Sequence, residues 1–111
     1  MNVGIDIIDV KRIGKLIRNR RFLNRVFSAN EIKYCSKKKN SAQHFAVRFA
    51  AKEAIWKAVG DKSLTHKDIC IKNTEQGKPE VLPNKKIKNS WNISISLSHT
   101  RDFAVAIAIL K

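Results

Sequence analysis

The chain has 111 residues, 43% of them hydrophobic, which suits one domain (residues 1–111) with a modest core. Its 23 Lys and Arg outweigh 9 Asp and Glu and leave a formal charge of +14, which favours a polyanionic partner: nucleic acid, an acidic protein or a phosphate-rich cofactor. Cys35 and Cys70 lack metal-ligand spacing and read as reduced, packed thiols, while no run nears the roughly 18 apolar residues of a membrane span and no leader pattern opens the chain, so a cytoplasmic location is expected.

In chain order, Val3 to Ile8 is a β-branched run that predicts a strand buried on both faces, and Asp9 stands where a helix N-cap would. A helix is predicted from Val10 to about Arg18, with Val10, Ile13, Leu16 and Ile17 on its apolar face and Lys11, Arg12, Lys15 and Arg18 outside. Arg20, Arg21 and Arg25 continue that basic surface. Ser28-Ala29-Asn30-Glu31 is a capping-box pattern opening a helix through Ile32 and Tyr34. Ala42 to Val59 predicts the longest helix, apolar over much of its circumference, hence central, and closed by Gly60. Strands are predicted at 69–71, 80–82, 92–97 and 103–110, separated by turn-rich segments. Helices largely first and strands largely later predict an α+β fold, helices packed on an antiparallel sheet.

Two carboxylates interrupt apolar segments. Asp6 falls within Val3–Ile8, and Glu53 within Phe49–Trp56. A desolvated carboxylate is costly unless a cation or good donors meet it, and one shared metal ion would serve both. In so basic a chain, Mg²⁺ would imply phosphate chemistry, because it takes one or two protein carboxylates and completes its shell with phosphate oxygens and water. Simpler alternatives stand beside this: an i,i+4 ion pair between Glu53 and Lys57, and a local turn role for Asp6. Phe49, Glu53 and Lys57 share one helix face, with Arg48 and Lys52 on the neighbouring row. His99 sits at a strand end before a tight turn with Thr100 and Arg101, a donor set suited to phosphate. His44 and His66 have no such company and read as ordinary surface or helix-flank residues. P-loop, dinucleotide-fingerprint, G-x-S-x-G and HExxH motifs are absent.

Taken together, Gly4-Ile5-Asp6-Ile7-Ile8-Asp9, Arg48-Phe49-Ala50-Ala51-Lys52-Glu53-Ala54 with Lys57 and Gly60, Gly77-Lys78-Pro79, and Ser96-Leu97-Ser98-His99-Thr100 resemble, in order, the motifs of the holo-acyl-carrier-protein synthases, the small trimeric branch of the 4'-phosphopantetheinyl transferase superfamily. The resemblance implies that superfamily's fold, and Mg²⁺-dependent transfer of phosphopantetheine from coenzyme A to a serine of an acyl carrier protein, with release of adenosine 3',5'-bisphosphate. It implies Asp6 and Glu53 as metal ligands, Lys57 as neutraliser of the pyrophosphate, and Arg48, His99 and Thr100 as contacts to the other phosphates. It also implies a homotrimer with active sites between subunits. The acidic carrier would dock on Arg12, Arg18, Arg21 and Arg25, Arg12 and Arg21 foremost. The stretch after Gly60 is shorter and poorer in glycine than the family's, and no adenine-pocket residue is assigned there. The competing expectation is a small RNA-binding or ribosome-associated domain, which the charge permits but which leaves Asp6 and Glu53 unexplained and lacks any RRM, KH or zinc-knuckle signature.

Overall fold

A computed structural model describes residues 1–111. Strand β1 (Asn2–Asp9) leads into helices α1 (Val10–Leu16), α2 (Arg20–Val26), α3 (Ala29–Ser36) and α4 (Ser41–Val59). A single 3-10 turn (His66–Asp68) precedes strands β2 (Ile71–Asn73), β3 (Pro79–Val81), β4 (Ile93–His99) and β5 (Phe103–Leu110). The main sheet has the order β1-β5-β4, antiparallel throughout, and β2 and β3 form a separate two-stranded ribbon. The expected α+β architecture, with a long helix on an antiparallel sheet, is what the chain adopts.

The local devices explain the helix starts. The Asp9 carboxylate accepts from the Arg12 amide at 3.2 Å, so Asp9 is the N-cap of α1. Ser28 and Glu31 form the full capping box of α3, and Gly60 ends α4 in the left-handed region at φ 73°. Helix α2 is absent from the sequence expectation. Asn19 starts it by accepting from the amides of Arg21 and Phe22, which stops the predicted 10–18 helix at Leu16 and turns the chain.

Helix α4 crosses β1 and β5 because both surfaces are built from small residues. Ala50, Ala51, Ala54 and Ala58 meet Ala106 and Ala108, joined by Ile55, Ile69 and Ile71, while Phe27, Phe45 and Ile13 fill a second cluster under α1 to α3. Each fully buried large side chain contributes about 1.5–3 kcal/mol. At Gly4 an added Cβ would stand 1.9 Å from the Ala54 carbonyl oxygen, so only glycine allows this approach.

Two strand expectations need correction. Strand β1 is not buried on both faces: Val3, Ile5 and Ile7 are 56%, 60% and 63% exposed, since β1 is an edge strand with α4 on one side only. The predicted 69–71 strand begins at Ile71 instead, because the Ile69 carbonyl accepts from Lys52 Nζ at 2.5 Å and leaves the ladder. The other shifts are small: Pro79–Val81 for 80–82, and Ile93–His99 for 92–97, which brings His99 into the strand.

Candidate active site

Asp6 pairs in register with Ala106, which is fully buried, so its side chain lies on the α4 side of the sheet. There Lys57 Nζ donates to the Ile5 carbonyl at 2.9 Å and to Asp6 Oδ1 at 3.2 Å. Asp6 Oδ2 is buried and has no partner. The local-turn alternative for Asp6 therefore fails, and so does the Glu53 to Lys57 ion pair, because Lys57 reaches β1.

Glu53, one helical turn before Lys57 on the same face, is met by His66, whose Nε2 lies 2.7 Å from Glu53 Oε1. The His66 ring stacks on Phe49 with centroids 5.3 Å apart and planes 3° from parallel. Its carbonyl is held by Lys52 Nζ at 2.9 Å. His66 is thus no ordinary surface residue. The sequence signal that could have found it is Thr65-x-x-Asp68, whose carboxylate accepts from the Thr65 amide and hydroxyl and tightens the turn that presents the imidazole.

Lys52 is completely buried. It pairs with Glu31 at 2.7 Å, and burial pulls its pKa below the ordinary lysine value while Glu31 opposes the shift. Glu31 in turn accepts from the amides of Ser28 and Ile71, so one buried network ties α3, α4 and the 66–71 segment together.

No group of three or more His, Cys, Asp or Glu is assembled. A hard cation would find oxygen donors in the unpartnered Asp6 Oδ2 and in Glu53, and would complete its shell with water or substrate oxygens. That donor set, two hard carboxylates, suits Mg²⁺ and not zinc.

Across α4 lies a cleft of about 430 Å³ whose walls include His44, Arg48, Asn73, Gly77, Lys78, Pro79 and His99. Arg48 is 5% exposed, donates from Nη2 to Asn73 Oδ1 at 2.9 Å, and has no carboxylate partner; its Nε has no partner at all. A nearly buried guanidinium left uncompensated is poised for an anion. His44 lines the same cleft, contrary to its reading as a helix-flank residue. Its pKa is lowered by burial first, then by the charges of Arg48, Lys38 and His99. Thr100 is not part of the cleft wall; its hydroxyl oxygen accepts from the amides of Asp102 and Phe103 and shapes the turn.

Arg48 and Lys57, nine residues apart, point to opposite sides of α4, so within one chain the Lys57–Asp6 contact and the cleft lie apart. Arg12, Arg18, Arg21 and Arg25 are all exposed, spread over α1, α2 and the turn between them.

The chain is a small α+β protein with a cleft lined by Arg48, His44 and His99 on one side of its long helix and, on the other, the Asp6 carboxylate held by Lys57 with one oxygen unpartnered, features suited to phosphate-bearing ligands. The chain belongs to the 4'-phosphopantetheinyl transferase superfamily, whose family model matches residues 2–108. It is 40% identical over 119 residues to a holo-[acyl-carrier-protein] synthase of Geobacter sulfurreducens, covering 97% of this chain and 94% of that one. The corresponding enzyme of Ruminiclostridium cellulolyticum is 43% identical over 123 residues, covering 100% and 92%. Among solved structures, the holo-(acyl-carrier-protein) synthase of Bacillus anthracis in complex with CoA (3',5'-ADP) aligns with TM-score 0.84 at 35% identity, covering 98% of this chain and 94% of that one. The Helicobacter pylori enzyme in complex with coenzyme A aligns with TM-score 0.86 at 32% identity, covering 98% and 99%. The chain is accordingly an enzyme of the holo-acyl-carrier-protein synthase type, and the RNA-binding alternative is not favoured.

Proposed function

We propose that the protein, acting as one domain over residues 1–111, transfers the 4'-phosphopantetheine group of coenzyme A to a serine of an acidic apo acyl carrier protein in a Mg²⁺-dependent reaction that releases adenosine 3',5'-bisphosphate. The observation that carries this is the buried, unpartnered Oδ2 of Asp6 beside Lys57. Asp6 and Glu53 would hold Mg²⁺, which, when bound, neutralises charge on the pyrophosphate.

Lys57, already lodged against Asp6, adds positive charge where the leaving phosphate becomes more negative. The serine oxygen bonds to the phosphorus bearing the pantetheine arm, the bond from that phosphorus to the bridging oxygen breaks, and the serine proton passes to a nearby water or to one of the two carboxylates. Arg48 and His99 hold the 3'-phosphate in the cleft. Thr100 acts through the turn that ends beside His99.

The separation of the Lys57–Asp6 contact from the cleft supports a homotrimer in which one subunit's carboxylates face a neighbour's Arg48 and His99. The exposed apolar side of β1 (Val3, Ile5, Ile7) with Phe103 supplies a surface for such an assembly. Arg12, Arg18, Arg21 and Arg25 would receive the acidic carrier. No helix is long and apolar enough to cross a membrane, in keeping with a cytoplasmic location.

Incubation with apo carrier protein, coenzyme A and Mg²⁺, followed by mass spectrometry, should show the carrier gaining one phosphopantetheine group. An unchanged mass across several carriers overturns the proposal.

A further inference from the structure

We propose that Tyr34 and Asn73 are positioning residues that lock Arg48 for a phosphate monoester, and so make the enzyme select the 3'-phosphorylated form of coenzyme A. This rests on the transferase reading above and extends it to residues outside the motifs.

The guanidinium carbon of Arg48 lies 4.4 Å from the centroid of the Tyr34 ring, which fixes the plane of the guanidinium. Asn73 Oδ1, 2.9 Å from Nη2, fixes its rotation within that plane. The two holders are themselves joined, since Asn73 Nδ2 donates to the Tyr34 hydroxyl at 3.4 Å and to the Gly77 carbonyl at the same distance. Tyr34 is further confined by the edge-on ring of His44, with centroids 6.0 Å apart, and by Lys38 Nζ at 4.6 Å.

Both holders are neutral. A carboxylate in either place would satisfy the charge of Arg48 and close the site, whereas Tyr34 and Asn73 orient the fork and leave its charge for the cleft it shares with His99. A doubly charged monoester gains most from such a site. In coenzyme A the 3'-phosphate is the monoester; the pyrophosphate is esterified at both ends and carries less charge per phosphorus.

Steady-state kinetics with coenzyme A and with 3'-dephospho-coenzyme A test this. Tyr34→Leu and Asn73→Ala should each raise KM for coenzyme A about tenfold, with kcat and the KM for the dephospho form within about twofold of wild type. Tyr34→Phe keeps the ring face but loses the hydroxyl that accepts from Asn73, and should raise KM for coenzyme A by less than Tyr34→Leu does. Asn73, at the end of a three-residue strand, provides a second probe if Tyr34→Leu folds poorly. Arg48→Ala separates the levels. If it discriminates between the two substrates and the holder variants do not, the inference falls while the phosphate role of Arg48 stands. If wild type fails to use coenzyme A at all, the transferase reading falls and takes the inference with it.

Discussion

His66 Nε2 and Glu53 Oε1 stand 2.7 Å apart, joining the long helix to the 3-10 turn thirteen residues later in the chain. With the imidazole stacked on Phe49 and its carbonyl held by Lys52, one side of the Glu53 carboxylate is fixed before any ligand arrives. In the proposed role of Glu53 as a metal ligand, such a supporting contact would set the orientation of its carboxylate.

Glu53→Gln separates charge from shape. The amide oxygen still accepts from His66, so circular dichroism and melting should match wild type, while transfer falls by about a hundredfold or more. Near-normal turnover in the mass assay would remove Glu53 from the metal shell.

Gly4→Ala places a methyl group 1.9 Å from the Ala54 carbonyl oxygen and must push β1 away from α4. A destabilisation of about 1–3 kcal/mol or more is expected by urea denaturation, together with reduced transfer, because Asp6 lies two residues along the displaced strand. A stable, fully active variant would contradict the tight seating of β1.

Lys52→Met leaves Glu31 buried without its cation. The expected loss is about 3–5 kcal/mol, read from equilibrium unfolding. Pairing it with Glu31→Leu should restore part of that stability if the cost comes from the stranded charge, and no recovery would assign it to the amides of Ser28 and Ile71 that Glu31 serves.

His44 titrates below its usual value of 6.5 in the folded chain, chiefly through burial and then through the positive charges of Arg48, Lys38 and His99. Above pH 6.5 both folded and unfolded states hold it neutral, and its contribution to stability is fully present. As pH falls from 6.5 toward the lowered folded value, the unfolded chain takes the proton first and that stability is lost. Proton NMR should show the depressed titration, adenosine 3',5'-bisphosphate should raise it by bringing negative charge into the cleft, and His44→Gln should flatten the acid limb of stability. An unshifted His44 that ignores the nucleotide would place it outside the cleft.

Arg21→Glu should raise KM for the carrier about tenfold at low ionic strength, with KM for coenzyme A unchanged and the effect shrinking as salt is added. An unchanged carrier KM at low salt would move the docking face off α2.

The elements most legible from the amino-acid order were those whose signals are local and reinforce one another. The 42–59 helix had a long apolar run and a terminal glycine, β5 a β-branched and alanine run bounded by a turn, and α3 its capping box. Helix α2 is hard to read locally because seven residues with three arginines carry a weak period, and its Asn19 cap is followed by two arginines instead of an apolar run. The 69–71 strand slipped because the Ile69 carbonyl goes to a lysine from another element, a contact no local pattern records.

The chemistry divides along the same line. Residue types and their order were enough to single out Asp6 and Glu53, carboxylates inside apolar segments, and His99 beside a strand-ending turn, while the roles expected of Lys57 and Arg48 came from the resemblance to the holo-acyl-carrier-protein synthases. Which groups meet was decided only by folding: Lys57 crosses to Asp6, His66 reaches Glu53, Lys52 withdraws to Glu31, and Arg48 leans on Tyr34. Those pairings span 51, 13, 21 and 14 residues of sequence. Helical spacing orders neighbours only three or four residues apart, whereas partners at these distances are chosen by the packing of α4 on the sheet, through the close approach at Gly4.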